Sequence, residues 1–373
     1  MAQRVLIVVG TRPNFVKVAP VLAELARRPE SFDCTLVHTG QHYDDEMSRV
    51  FFEELNIGPP KHRLRVGSGS HSVQTARVME SIEPVIEGER PDVVLVPGDV
   101  NSTLAAALVA AKLGVPIGHI EAGLRSFDRS MPEEINRIVT DSLADTLFVH
   151  SPEAIDNLTR EGAPLESIHA VGNTMVDTLI AMQPRIERAA VPEAHGLRTR
   201  EYVVVTLHRP ALVDGPLLAD AVEALRAVAR EIPVVFPVHP RTRGTLEALG
   251  LDSSPSAAFR LMEPLGYIEF LGLLAGAAGA ITDSGGIQEE TTFLGVPCFT
   301  LRDNTERPIT VELGTNVLLG LSPERILEVP ALIDAVRKRA RQVPPLWDGQ
   351  AARRVVDVLA GDSPRLGFEP DGV

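Results

Sequence analysis

Ten short runs rich in Val, Ile and Leu recur along the chain: 5–9, 34–38, 93–96, 115–120, 146–149, 202–207, 234–238, 259–262, 278–282 and 296–301. They show little polar–apolar alternation, the pattern of parallel strands buried on both faces. Between them, 20–28, 72–86, 103–113, 133–144 and 217–230 carry apolar residues at three- and four-residue spacing, which predicts helices. Repeated strand–helix–strand order predicts a doubly wound α/β fold. Ten strands exceed one ordinary sheet of this kind, so the chain is read as two Rossmann-like units.

The division is expected between Val171 and Tyr202, where Pro184, Pro192 and Gly196 interrupt a stretch without a strand of its own. This gives an N-terminal unit over 1–171, a C-terminal unit over 172–345, and a final helical segment over 346–373 packing back on the first unit. Both units open alike, Arg4-Val-Leu-Ile-Val-Val-Gly-Thr-Arg-Pro and Tyr202-Val-Val-Val-Thr-Leu-His-Arg-Pro. Two such units are expected to face each other across a cleft at the carboxyl ends of their strands, where ligands of these folds sit.

A length of 373 residues supports two such cores at about 150 residues each. The 50 acidic against 36 basic residues, a formal charge of −14, argue against nucleic acid or an anionic membrane as partner. Cys34 and Cys298 lie in apolar segments and read as small buried hydrophobes in a reducing compartment, not as a disulfide or metal site. The N-terminal apolar stretch is too short for a signal-peptide core, and no apolar run nears the ~18 residues a membrane span needs. A cytoplasmic protein without a metal site is expected.

Six polar segments directly follow expected strands: Gly10-Thr-Arg-Pro, Gly98-Asp99-Val-Asn-Ser-Thr, His119-Ile-Glu121-Ala-Gly-Leu-Arg125, His208-Arg-Pro, His239-Pro-Arg and Asp283-Ser-Gly-Gly-Ile-Gln-Glu-Glu. Six charged strand ends in two sheets suggest an anionic ligand met by acids and bases. In the last segment Ser284 is expected to cap a helix, with Gly285 and Gly286 letting backbone approach a phosphate at the helix start. Glu290, about one turn in, is placed to reach ribose hydroxyls. Arg12 and Lys17 form a second candidate anion site, and Arg307 a third donor. Asp99, Glu121 and Glu133 are candidate acid–base groups whose mutual repulsion suits proton transfer, with Arg137 four residues beyond Glu133 on the same face. His208 is a candidate donor to a leaving phosphate.

Taken together, Gly10-Thr-Arg-Pro, Gln41-His42, Gly98-Asp99, His119-Ile-Glu-Ala-Gly-Leu-Arg125, Pro132-Glu-Glu-Ile-Asn-Arg137, Gly172-Asn-Thr, His208-Arg, Pro237-Val-His-Pro240, Thr282-Asp-Ser-Gly-Gly-Ile-Gln-Glu-Glu290 and Thr305-Glu-Arg-Pro308 make the chain resemble the non-hydrolysing UDP-N-acetylglucosamine 2-epimerases over nearly its whole length. The resemblance implies a GT-B arrangement, a homodimer, no redox cofactor, and interconversion of UDP-N-acetylglucosamine and UDP-N-acetylmannosamine. It implies catalytic roles for Asp99, Glu121, Glu133 and His208. It places Arg12, Lys17, Arg137, Phe270, Ser284, Gly286, Glu290 and Arg307 around the nucleotide sugar, with Gly285 beside them. Many bacterial members also bind a second UDP-N-acetylglucosamine as an activator, and Gln41, His42 and His239 match part of that region. Three departures from the family pattern stand out: Arg209-Pro-Ala-Leu-Val-Asp214 after His208, Leu265-Gly266 where a Gln is common, and Asn14 in place of a frequent Glu. The rival readings are a GT-B glycosyltransferase, a hydrolysing epimerase and a non-catalytic nucleotide-sugar sensor.

Overall fold

A computed structural model describes residues 1–40, 51–253, 256–339 and 342–362. The chain forms two compact units, Met1–Ala181 with Pro345–Val373, and Met182–Pro344.

The first unit holds a seven-stranded parallel sheet of order β3-β2-β1-β4-β5-β6-β7. Its strands are β1 (Gln3–Val9), β2 (Phe32–His38), β3 (His62–Arg63), β4 (Val93–Pro97), β5 (Ile117–Ile120), β6 (Thr146–Val149) and β7 (Ile168–Ala170). The second unit holds a six-stranded parallel sheet of order β10-β9-β8-β11-β12-β13. These are β8 (Val203–Thr206), β9 (Val234–Pro237), β10 (Phe259–Met262), β11 (Gly279–Thr282), β12 (Cys298–Thr300) and β13 (Asn316–Leu318). Both sheets therefore wind outward from their first strand in one direction and then in the other. The reversal falls between β1 and β4 in one unit and between β8 and β11 in the other, leaving a crevice beyond the strand ends at each.

The ten expected strands are present, and three more appear: β3, β7 and β13. Each is an edge strand of two or three residues. An edge strand is half solvated, so its sequence need not be the continuous apolar run that marks a central one.

Two expectations about boundaries change. The first helix begins at Arg12, not at Pro20, and runs through that proline to Ala26. Pro20 has no N–H for the Val16 carbonyl one turn back, and the Thr178 hydroxyl donates to that carbonyl instead, at 2.6 Å. The division between units falls inside the helix Thr174–Ala189, within the expected stretch from Val171 to Tyr202 but after residue 181 rather than 171. Residues up to 181 stay with the first unit because Thr178 anchors there and Asp177 accepts the Ala351 and Ala352 N–H groups at 3.2 and 2.7 Å. Those two residues open the helix Ala351–Leu359, which returns to the first unit and pairs Asp357 with Arg28 at 2.7 Å. Trp347, 2% exposed, donates its indole N–H to the His150 carbonyl on the way.

Candidate active site

In the first unit the turns after β1, β4 and β5 carry the polar residues. Pro97 at the end of β4 pairs with Ile120 at the end of β5, and the Gly98 N–H donates to the Ile120 carbonyl at 2.9 Å. Gly98–Asp99 and Glu121 therefore leave neighbouring strands at the same level. Glu121 adopts a left-handed backbone (φ 71°), a conformation disfavoured for a residue with a Cβ and held only by its surroundings. Its carboxylate is buried against the Lys17 ammonium, with both side chains 7% exposed. Gly98 is also left-handed (φ 64°), and a Cβ there would stand 2.7 Å from Lys17 Nζ. Glycine is favoured at this position by its conformation, and a Cβ would displace the Lys17 ammonium.

Asn14 ties the β1 turn to this group. Its side-chain oxygen accepts the Gly10 and Thr11 N–H groups at 3.0 and 3.2 Å, while its amide donates to the Pro97 carbonyl at 3.1 Å. A glutamate at this position could accept but not donate, so the departure from the family pattern supplies an additional link across the switch point.

The helix Pro132–Leu143 secures the acid-bearing turns from one side. Proline at its start and Glu133 and Glu134 in its first turn suit a helix N-terminus. Arg137 places Nε and Nη2 at 3.0 and 2.8 Å from Asp99 Oδ2, and Nη1 at 2.5 Å from Glu134. Asn136 donates to the Asp99 carbonyl at 2.8 Å. Glu134 further accepts the Ser126 and Phe127 N–H groups at 3.0 and 2.8 Å. The expected partner of Arg137, Glu133, is replaced by Glu134, because a spacing of three on this helix brings the buried acid under the guanidinium. Glu133 stays half-buried. The expected repulsion among carboxylates gives way to pairing: Asp99 with Arg137, Glu121 with Lys17. Lys17 is thus a buried partner of Glu121. Arg12 lies over the Phe51 ring, 5.3 Å from its centroid.

In the second unit the switch point brings together His208 and Arg209 after β8 and Asp283 and Ser284 after β11. Asp283 is fully buried. It accepts the His208 and Arg209 N–H groups at 2.8 and 2.7 Å, and its other oxygen lies 2.9 Å from His208 Nδ1. Burial alone would raise this carboxyl, but the His208 ring and the two N–H donors outweigh it and hold Asp283 below the ordinary aspartate range. With Nδ1 turned to Asp283, the half-exposed His208 presents Nε2 outward. His239, ring centroid 5.7 Å from that of His208, caps the helix Pro240–Ala248 by accepting the Arg241 N–H. Arg241 pairs with Asp214, at the end of the divergent segment after His208.

Ser284 occupies the N-cap of the helix Gly285–Leu294, but its hydroxyl does not cap it. Instead Thr282 accepts the Ser284 N–H at 3.0 Å. The helix start therefore has no side-chain cap from its own N-cap residue, as an anion site requires. Gly285 also makes room for a side chain. A Cβ there would meet Arg307 Nη1 at 2.5 Å and Glu306 Oε1 at 2.7 Å, so the glycine admits the Arg307 side chain. Arg307 is itself held by Glu289 at 2.8 Å and Glu306 at 2.5 Å. Glu290 is buried but 6% exposed; burial, with Glu289 beside it, raises its carboxyl to about 8 against the opposing hydrogen bond from Tyr267 at 3.3 Å. Phe270, on the helix Tyr267–Gly276, is half-buried against the cluster that includes Tyr202 and Leu273. Gln41 and His42 lie outside the described residues.

The residues that sequence reasoning missed are the supports: Glu134, Asn136 and Asp283 as the partner of His208, together with the bridging role of Asn14. Their signal was present only as polar residues on otherwise buried helix faces and strand ends.

The sequence matches the family model described as UDP-N-acetylglucosamine 2-epimerase over residues 23–360. It is 42% identical over 365 residues to a UDP-N-acetylglucosamine 2-epimerase of Methanococcus maripaludis, covering 95% of this chain and 98% of that protein. It is also 42% identical to a UDP-2,3-diacetamido-2,3-dideoxy-D-glucuronate 2-epimerase of Pseudomonas aeruginosa, covering 96% and 99%. Among solved structures, the Methanocaldococcus jannaschii UDP-GlcNAc 2-epimerase in complex with UDP-GlcNAc and UDP matches with a TM-score of 0.89 and 40% identity, over 96% of this chain and all of that one. The fold class expected from the sequence, paired Rossmann-like units of the GT-B class, is the class of this neighbour.

Proposed function

Because the chain belongs to the UDP-N-acetylglucosamine 2-epimerase family, we propose that it interconverts UDP-N-acetylglucosamine and UDP-N-acetylmannosamine without net hydrolysis. The hydrogen on sugar carbon 2 has no neighbouring carbonyl to acidify it. Loss of UDP builds positive charge at carbon 1 and makes that hydrogen removable, giving 2-acetamidoglucal and UDP. Re-addition with the opposite configuration at carbon 2 completes the reaction. Inversion needs proton transfer on both faces of the ring and therefore more than one acid–base group.

The observation that carries this reading is the placement of Asp99 and Glu121 at one level on adjacent strands, each beside its own cation. Asp99 and Glu121 are the proton-transfer pair, with Glu133 supporting them. His208, oriented by Asp283, donates to the departing phosphate, and the helix start at Ser284 with Gly286 stabilises its charge. Arg12, Arg307 and Glu290 hold the rest of the UDP moiety. A homodimer working in the cytoplasm fits the family resemblance. An activating second nucleotide sugar near His239 remains part of the same proposal.

A second reading concerns the sugar: the Pseudomonas aeruginosa relative, equally identical, acts on a 2,3-diacetamido-glucuronate. Proton NMR in heavy water tests both. Incubation with UDP-N-acetylglucosamine alone should yield the manno anomeric signal with deuterium at carbon 2. Product without solvent deuterium defeats the elimination route. Free N-acetylmannosamine and UDP would show the hydrolysing type, and turnover only of the diacetamido substrate would reassign the sugar.

A further inference from the structure

His119 on β5 is fully buried and makes two contacts that bear on its hydrogens. Its Nε2 lies 2.8 Å from the Gly98 carbonyl oxygen, and its Nδ1 lies 2.6 Å from Asp141 Oδ1. A carbonyl only accepts, so Nε2 donates. Asp141 also accepts the Gly123 N–H at 3.1 Å and pairs with Arg125 at 2.7 Å, both through Oδ2. The ring therefore spans from the turn after β4 to the helix Pro132–Leu143 that carries Asp141.

We propose that His119 is a positioning residue, a buried ring that clamps the Gly98–Asp99 turn to the helix Pro132–Leu143 and so fixes Asp99 relative to Glu121. The clamp acts together with Asn136 and Arg137, which reach Asp99 from the same helix, and with Asp141, whose second oxygen holds the turn just beyond Glu121. Asp141 and Arg125 face the ring, and Arg125 pairs in turn with the exposed Glu161 at 2.6 Å. The catalytic part of this inference rests on the epimerase reading, whereas the clamp itself does not.

Amide hydrogen exchange of full-length wild type and His119→Phe tests the clamp directly. Faster exchange at the Gly98 and Gly123 amides of the variant is expected; unchanged exchange there overturns the proposal. His119→Phe, and His119→Gln, which keeps a donor, test the positioning role. In His119→Phe, kcat should fall ~10–100-fold, as expected when reacting groups are misplaced by about 1 Å, with KM changed less than ~3-fold. His119→Gln should recover part of the loss. Unchanged kcat in His119→Phe overturns the role, and His119→Gln, read by exchange and kcat alike, decides the matter if the Phe variant does not fold. A wild-type chain inert on every UDP-sugar would remove the epimerase reading and leave the exchange measurement as the deciding result.

Discussion

Arg137 grips Asp99 with two nitrogens on one carboxylate oxygen, Nε at 3.0 Å and Nη2 at 2.8 Å to Oδ2. Its remaining edge is closed by Glu134, so the guanidinium has one orientation and Asp99 is aimed by it. A lysine carries the same charge as a point and cannot reproduce the fork. Arg137→Lys should lower kcat by ~10²-fold, with KM changed only a few-fold, because misaimed acid–base groups act on the chemical step. Steady-state kinetics on both UDP-sugars checks this; an equal rise in KM with kcat intact would assign Arg137 to ground-state binding.

Asp283 fixes the ring of His208 and also ties two backbone N–H groups of the turn. Asparagine keeps an acceptor but removes the charge and allows the wrong tautomer. Asp283→Asn should therefore reduce kcat by ~10²-fold or more. Asp283 is held low in the folded state, so its contribution to stability is present above the unfolded aspartate range and is lost as pH falls through its folded value. Acid melts should accordingly show wild type losing its stability advantage over the variant at low pH; an unchanged gap would contradict the ion pair.

Glu290 behaves in the opposite sense. Its folded value of about 8 lies above the ordinary 4.5, so the folded state retains a proton that the unfolded chain has released between those limits. Stability should fall as pH rises through that window and level off above it. Glu290→Gln removes the titrating group, so thermal melts should show the variant gaining on wild type from pH 5 to pH 8.5. A constant difference across that range would show that Glu290 is already ionised in the fold.

Thr178 supplies the hydrogen that Pro20 denies to the Val16 carbonyl. Thr178→Val should destabilise the protein by about 1–3 kcal/mol, the cost of leaving a buried acceptor unpaired. Restoring the missing N–H by Pro20→Ala in the Thr178→Val background should recover part of that loss. Urea denaturation of the single and double variants checks the coupling, and strictly additive effects would disprove it.

Much of the fold was legible because central parallel strands must be apolar on both faces, and the chain writes them as unbroken Val, Ile and Leu runs. The edge strands β3, β7 and β13 escaped because edges need no such run. Proline also misled: Pro20 signals a helix start by its chemistry, yet Thr178, far along the chain, satisfies the carbonyl it orphans. The candidate site was legible as a set of acids, bases and glycines after strands. Its pairing was not. Nothing local in Pro132-Glu-Glu-Ile-Asn-Arg137 says that Arg137 takes Glu134 and Asp99 rather than Glu133, or that Gly285 makes room for Arg307.

The sequence by itself determined the parallel architecture, the two-unit plan and the residue types at each strand end, because burial and backbone geometry impose local patterns that survive in one dimension. Only the tertiary structure decided which carboxylate meets which cation, since that depends on side chains brought together by strand order. It made Asp99 and Glu121 ion-paired neighbours where their composition suggested mutual repulsion, and it buried Glu290 where its position suggested only a reach toward a ligand. Burial strengthens every unmatched charge, so the fold settles these pairings and with them the chemistry the acids can perform.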